Sequence, residues 1–131
     1  MSASQSPALD VIAIGRSSVD LYGQQIGARL EDIATFSKSV GGCPANIAIG
    51  TARLGLKSGL ITGVGAEQMG RFIIEQCARE GVATEGIKVG KERLTALVLL
   101  VVEQEGVAPM IFYRRHRADM RQQALGARLL L

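Results

Sequence analysis

Several features that mark particular protein classes are scarce or absent. There is no tryptophan, and the two cysteines, Cys43 and Cys77, stand 34 residues apart without a CxxC pair. Such spacing provides no metal-binding or disulfide framework, and two reduced, mostly buried thiols are the simpler interpretation. The longest apolar run, 96–102, is far shorter than the ~18 residues needed to cross a bilayer, and residues 1–8 lack the pattern of a signal peptide. These absences predict a soluble, cytoplasmic protein that does not bind membranes.

A basic face is also absent from most of the chain. The net charge is +3, but residues 1–112 carry ten Lys and Arg against eleven Asp and Glu, whereas residues 113–131 carry five Arg against one Asp. Only five aromatic side chains are available to stack on bases. A nucleic-acid partner is therefore not expected.

The patterning that is present predicts one α/β domain. The chain has 131 residues, 47% of them hydrophobic, which suits a single globular unit. Apolar runs predict strands at 9–15, 56–64, 86–89, 95–102 and 110–113, and helical periodicity predicts helices at 45–54 and 67–80. The last two strands, joined by a polar turn at 103–106, suggest a hairpin, and the segment 16–40 suggests short irregular strands or loop. Alternating strands and helices indicate a mainly parallel sheet with a smaller β element beside it.

Two familiar phosphate-binding motifs fail when they are tested. Residues 63–68 place glutamine where GxGxxG needs its last glycine, and residues 50–58 place Leu56 between the glycine and the lysine of a P-loop. Gly50 also falls inside the predicted helix rather than before it. The sequence therefore argues against a Rossmann or P-loop nucleotide site.

The segment Gly41-Gly42-x-Pro44-x-Asn46 is more informative. Paired glycines before a helix leave bare backbone for a ligand, and the helix start offers free N–H donors. An asparagine in the first turn adds an acceptor and two donors, which suits a polyhydroxylated ligand. A tight turn into a helix, with Asn46 acting as a cap, explains the local pattern more simply.

Three charged or titratable residues are further candidates. Asp20 follows the first predicted strand, where a carboxylate can accept two sugar hydroxyls, although an Asp bonded to its own turn fits equally well. Arg114, at the end of the hairpin, can hold a carboxylate or phosphate with two hydrogen bonds, although most basic runs are simply solvated. His116 stands among arginines, and a surface histidine is the better interpretation.

Together these residues resemble the ribokinase-like (PfkB) carbohydrate kinase family. The stretch from Gly41 to Gly55, continuing to Gly63-Val-Gly65, is similar to the N-terminal signature of that family. The segments 69–72, 93–96 and 112–114, with Ala118-Asp119, resemble its sugar-acid kinases most. The resemblance covers about residues 9–120, and residues 121–131 have no match in it.

The resemblance implies a ribokinase-like fold and a sugar pocket. Asp20 matches the aspartate that binds sugar hydroxyls, the residues Gly41, Gly42 and Asn46 match the pocket signature, and Arg114 matches a lid arginine that faces a substrate carboxylate. The segments near 16–40 and 95–114 match strands of a β lid, through which relatives form homodimers. The reaction implied is transfer of the γ-phosphoryl group of ATP, assisted by Mg²⁺, to a small sugar acid.

The chain also departs from the family. The signature with the Gly-Ala-Gly-Asp anion hole, the catalytic base and the nucleotide pocket has no counterpart here, and Ala66, His116 and Arg117 replace expected residues. We therefore expect a truncated kinase that carries the sugar-binding part, a flexible segment at 1–8, and no catalytic, nucleotide-binding or metal-binding residue. Two alternatives stay open: a non-catalytic sugar-binding module, and a half-enzyme completed by a separate partner.

Overall fold

The structure is a computed structural model that describes residues 8–103 and 109–118. It contains seven strands, two α-helices and one short 3₁₀ helix at Leu30–Asp32. The strands are β1 (Val11–Ile14), β2 (Ser18–Gly23), β3 (Phe36–Gly41), β4 (Ser58–Gly65), β5 (Ile87–Gly90), β6 (Leu97–Leu100) and β7 (Met110–Tyr113), and the helices are α1 (Cys43–Arg53) and α2 (Gln68–Arg79).

The first sheet is parallel, as the sequence predicted, with strand order β1-β4-β5. Its central strand β4 is buried at all eight positions, because neighbouring strands cover its edges and both helices pack on it. A strand buried on both faces needs a continuous apolar or small-residue run, which the sequence of β4 supplies. This sheet and its helices form the hydrophobic core.

Both helices begin at residues that suit a helix N-terminus. Helix α1 starts after Gly42 with Pro44 in its first turn, and its small residues Ala45 and Ala48 are completely buried against the sheet. Helix α2 is capped by Glu67, whose side chain accepts a hydrogen bond from the Gly70 amide. The predicted helices at 45–54 and 67–80 are thus confirmed to within two residues at each end.

The second sheet has four strands in the order β3-β2-β6-β7. Strands β2 and β3 pair antiparallel, β2 and β6 pair parallel, and β6 and β7 pair antiparallel, which confirms the predicted hairpin. The segment 16–40, predicted as short strands or loop, contributes both β2 and β3. These strands account for the break in the strand–helix alternation.

The two faces of the second sheet differ. One face packs on the core through Val19, Leu21, Val40 and Leu97, and helix α2 also contacts β2. Strand β7 lies at the edge, and all four of its residues are 40–48% exposed. Side chains alternate between faces along a strand, so residues between the core-facing positions, Asp20 among them, lie on the other face.

Several expectations fall on residues outside the described ranges. They are the flexibility of 1–8, which is described only at residue 8, most of the turn at 103–106, Asp119, and the tail 121–131. Within the described ranges, no helix is both long and apolar enough to span a bilayer.

Candidate functional site

Asp20 lies within strand β2 rather than in a turn after the first strand. Its register partners are Ser39 on β3 and Val98 on β6, and Val98 in turn pairs with Phe112 on β7. These four residues therefore form one row across the sheet with their side chains on a shared face. The sequence left the segment 16–40 as short strands or loop, and the structure shows that Asp20 lies in the first of its two strands.

Gly41 makes room for the Asp20 carboxylate. A Cβ atom built on Gly41 would overlap all three carboxyl atoms of Asp20, which lie directly against the glycine backbone. Any larger residue at position 41 would push the carboxylate away. The structure thus brings together two residues that the sequence singled out separately.

Gly42 serves the junction between the two sheets. It adopts a φ of 95° as the N-cap of α1, and a Cβ there would come 2.5 Å from the carbonyl oxygen of Arg16. That conformation and that contact both favour glycine. The start of α1 can consequently approach the backbone that joins β1 to β2. The bare backbone at 41 and 42 is therefore covered in part by Asp20 and by this connection.

The side chain of Asp20 is half-buried, and the hydroxyl group of Ser18 lies beside it. Burial raises the pKa of the Asp20 carboxyl above its usual value, while a hydrogen bond from the Ser18 hydroxyl, at 2.8 Å, acts in the opposite direction. Ser18 is the sequence neighbour two residues earlier on the same strand face. A carboxylate held in this way keeps oxygen lone pairs free to accept hydroxyl groups.

Arg114 lies on the same face as Asp20. Its guanidinium carbon is 4.1 Å from the centre of the Phe112 ring, which is a cation–π contact. Phe112 occupies the cross-strand row of Asp20, two strands away, which corresponds to about 10 Å. The face consequently carries an acceptor at one end and a cation at the other.

Asn46 lies on helix α1 rather than on the sheet that carries Asp20. It is exposed on α1, and with Ile49 and Arg53 it lines a cavity of about 310 Å³ between β3 and α2. Ser39, the register partner of Asp20, also lines this cavity, although Asp20 itself does not. The Asn46 amide N–H donates to the Gly42 carbonyl at 2.9 Å, as the first turn of a helix requires. The structure thus places Asp20, Gly41 and Arg114 on one face, while Asn46 lines a cavity that reaches the same cross-strand row at Ser39.

Sequence reasoning missed Ser18 and Phe112. Ser18 donates to Asp20, and Phe112 supports the guanidinium of Arg114. Each of them lies two positions before a predicted residue, Asp20 or Arg114, and side chains two positions apart in a strand point to the same face. This spacing was the available signal, but it becomes useful only when the strand boundaries are known.

The described residues contain no cluster of metal-ligating side chains. Among residues 8–103 and 109–118, no group of three or more His, Cys, Asp or Glu side chains lies close enough together to hold a metal ion. Among the described residues of β2, β3, β6 and β7, Asp20 is the one Asp or Glu. We therefore assign no metal ligand and derive no step through a metal.

The parallel sheet with its two helices and the four-stranded sheet beside it have the arrangement of a ribokinase-like α/β fold. The model of the pfkB family carbohydrate kinases matches residues 8–130. The chain belongs to this family. The match continues past residue 120 into the segment that the sequence analysis left without a counterpart.

A curated relative points to one branch of the family. The chain is 40% identical over 114 residues to a 5-dehydro-2-deoxygluconokinase from Geobacillus thermodenitrificans. The alignment covers 86% of this chain and 34% of the relative. The chain thus spans about one third of the length of the curated relatives that it matches.

Solved structures show the same fold. A PfkB protein from Polaromonas has a TM-score of 0.81 at 31% identity, covering 86% of this chain and 37% of that one. A sugar kinase from Pyrococcus horikoshii, solved in complex with ATP, has a TM-score of 0.75 at 34% identity, covering 82% and 35%. These similarities confirm the expected ribokinase-like fold.

Proposed function

We propose that the chain carries the sugar-acid-binding part of an ATP-dependent kinase that phosphorylates 5-dehydro-2-deoxy-D-gluconate in myo-inositol catabolism. Family membership and the identity to kinases named for this substrate support the proposal. One geometric observation carries it: the Asp20 carboxylate rests on Gly41 on the same sheet face as Arg114. The proposal includes a cytoplasmic location.

The face has the chemistry that a linear sugar acid needs. The Asp20 carboxylate accepts hydrogen bonds from hydroxyl groups of the substrate, and nearby backbone amides at the start of α1 donate hydrogen bonds to the hydroxyl oxygens of the substrate. The Arg114 guanidinium forms paired hydrogen bonds with the substrate carboxylate. The Phe112 ring keeps the guanidinium over the face, so less side-chain entropy is lost on binding. Asn46 joins this site in the proposal only through the family resemblance.

In the proposed reaction ATP supplies the phosphoryl group. The terminal hydroxyl oxygen of the sugar acid bonds to the γ-phosphorus, the bond to ADP breaks, and the hydroxyl proton passes to a base. We assign neither that base nor a nucleotide contact to any described residue. The residues of this chain bind and orient the substrate, which is a large part of catalysis of phosphoryl transfer.

A binding experiment tests the proposal. Titration calorimetry with 5-dehydro-2-deoxy-D-gluconate should show binding, and the matching sugar without a carboxylate should bind at least about tenfold more weakly. Arg114→Gln should remove this preference, while Arg115→Gln, a change of an exposed neighbour, should not. Equal affinity of wild type and Arg114→Gln would refute the proposed role of Arg114, and absence of binding would refute the proposed function.

An activity assay separates kinase from binding module. The chain alone should bind the sugar acid but show no phosphoryl transfer from ATP. Addition of the remaining two thirds of a relative should restore turnover if the chain acts as a half-enzyme. Turnover by the isolated chain would overturn the proposal that it lacks the catalytic groups.

We further propose a homodimer through the lid strands. The edge strand β7 exposes four large apolar side chains, Met110, Ile111, Phe112 and Tyr113. A free edge of this kind favours pairing with another strand, and a second copy is always available. Sedimentation should show a dimer that Ile111→Lys converts to a monomer. A monomeric wild type would exclude the proposed dimer without affecting the proposed sugar site.

A further inference from the structure

A small cavity lies between the start of α2 and the segment that follows β7. Its volume is about 120 Å³, and its lining includes Glu67, Thr95, Tyr113 and Arg117. Two of these side chains have opposite charges. Oε2 of Glu67 and Nε of Arg117 are both buried without a hydrogen-bond partner in the described structure. Buried polar atoms are nearly always satisfied in folded proteins, so these two require an explanation.

The Glu67 carboxylate is held firmly on one side. Its Oε1 atom accepts hydrogen bonds from the amides of Gly70, at 3.2 Å, and Thr95, at 3.3 Å. A Cβ on Gly65 would overlap Oε2, so the glycine provides the space for that oxygen. Burial would raise the pKa of Glu67, but hydrogen bonds from Thr95 and backbone amides outweigh it and lower the pKa. Glu67 is therefore ionised at neutral pH, and only Oε1 is used by the backbone.

Arg117 is held by the backbone next to it. The amide of Ala118, a buried residue, donates to the Leu94 carbonyl at 3.0 Å. His116 has a φ of 53°, an unusual value for a residue other than glycine, so the backbone turns sharply just before Arg117. These features bring the guanidinium to a cavity also lined by Glu67.

Both side chains are only partly buried, but each has one buried polar atom without a hydrogen-bond partner in the described structure, which is unfavourable. Two opposite charges that line one cavity can relieve each other. We propose that the side chains of Glu67 and Arg117 attract each other and so hold the segment that follows β7 against the N-terminus of α2. We call this pair of side chains the latch. Arg114 lies three residues before Arg117, so the latch also fixes the position of Arg114 over the Asp20 face. This last step rests on the proposed function, whereas the latch itself does not.

A double-mutant cycle on the full chain tests the latch. Glu67→Gln and Arg117→Gln each remove one charge, and the glutamine at 67 keeps the oxygen that caps α2. Each single change should lower the folding equilibrium constant, and the two should be coupled by about tenfold or more. The exposed pair Glu75 and Arg79 on α2, 3.8 Å apart, is the matched control and should show coupling of less than about threefold. Additive effects at 67 and 117 would overturn the proposal.

Hydrogen exchange distinguishes a latch from a general loss of structure. Arg117→Gln should speed exchange of the Ala118 amide about tenfold or more while the α2 amides keep their protection. If a single variant loses protection everywhere, the double variant should regain it in α2. Unchanged exchange at Ala118 in a folded Arg117→Gln variant would contradict the latch.

The two proposals fail in different ways. Coupling between positions 67 and 117 without any binding of the sugar acid would reject the proposed function and keep the latch. Sugar-acid binding that is unaffected by Arg117→Gln would reject the step from the latch to Arg114. Additive stabilities with intact binding would reject the latch alone.

Discussion

The two sheets of this protein differ most in how they are buried. Every residue of β4, at the centre of the first sheet, is buried, whereas every residue of β7, at the edge of the second, is exposed. Both strands are rich in apolar or small residues, so composition does not explain the contrast. Position in the sheet explains it, because β4 is covered by helices and strands, whereas β7 is the edge strand of the sheet formed by the described residues. The first sheet provides stability, and the second leaves a surface available for binding.

The candidate site lies where these two regions meet. Gly41 and Gly42 end β3 and begin α1, and Asp20 rests on Gly41. The core side of β2 is fixed by Val19, which is completely buried, while Asp20 on the opposite side is only partly buried. A rigid strand thus presents a carboxylate whose burial is unfavourable for its charge. A carboxyl group whose pKa is raised by burial in this way is typical of functional positions.

The largest effect should come from the core of the first sheet. Leu60 is fully buried, and Leu60→Ala should lower the free energy of unfolding by about 2–5 kcal/mol. Phe112, 45% exposed, is the matched position in the second sheet, and Phe112→Ala should cost about 1 kcal/mol or less. Urea denaturation measures both. Similar losses at the two positions would show that the contrast in burial has no energetic counterpart.

The next largest effect should come from Gly41→Ala. The new methyl group overlaps the Asp20 carboxylate, so the strand and the carboxylate must separate, at a cost of about 1–3 kcal/mol. Gly50→Ala is the control, because a Cβ there meets nothing within 4 Å and the helix gains about 0.5–1 kcal/mol. Thermal unfolding of both variants provides the measurement. A stabilised Gly41→Ala variant would mean that Asp20 does not depend on this glycine.

Asp20→Asn should affect stability and binding in opposite directions. Because burial raises the pKa of Asp20 in the folded state, its ionised form costs stability at neutral pH, and the cost disappears as the pH falls and the carboxyl is protonated. The variant should therefore be slightly more stable than wild type at pH 7 and equal to it at low pH. Binding of the sugar acid should weaken about tenfold or more. Ser18→Ala serves as the control for loss of the Ser18 hydrogen bond alone. A pH-independent stability difference would argue against this account.

The smallest effect on the protein concerns its thiols. Burial raises the pKa of Cys77 to about 11, and the charge of Glu80 adds to this shift, whereas Cys43 is exposed at the start of α1. A thiol reagent at neutral pH should modify one cysteine quickly and the other only on unfolding. Cys43→Ser should remove the fast phase. A fast phase that remained in this variant would show that the core around Cys77 opens readily.

The elements predicted best from the sequence are those with strong local signals. Apolar runs located β1 and β4, periodicity located α2, and the glycine-containing polar turn located the β6–β7 hairpin. The bounds of β2, which carries Asp20, were left open within the segment 16–40, because this strand pairs with segments 13 or more positions away. The register of such pairing depends on distant residues, which a local pattern does not contain.

The sequence by itself determined the family, the alternation of strands and helices, and the glycines that the junction of β3 and α1 needs, since these depend on local chemistry and spacing. Only the tertiary structure decided that Asp20 rests on Gly41, that Arg114 shares its face, and that the cavity beside Asn46 reaches Ser39 in the row of Asp20. It alone also brought Glu67 and Arg117 to one cavity. Side chains far apart in the chain meet only when strand register and helix packing fix their directions, and those are properties of the whole fold.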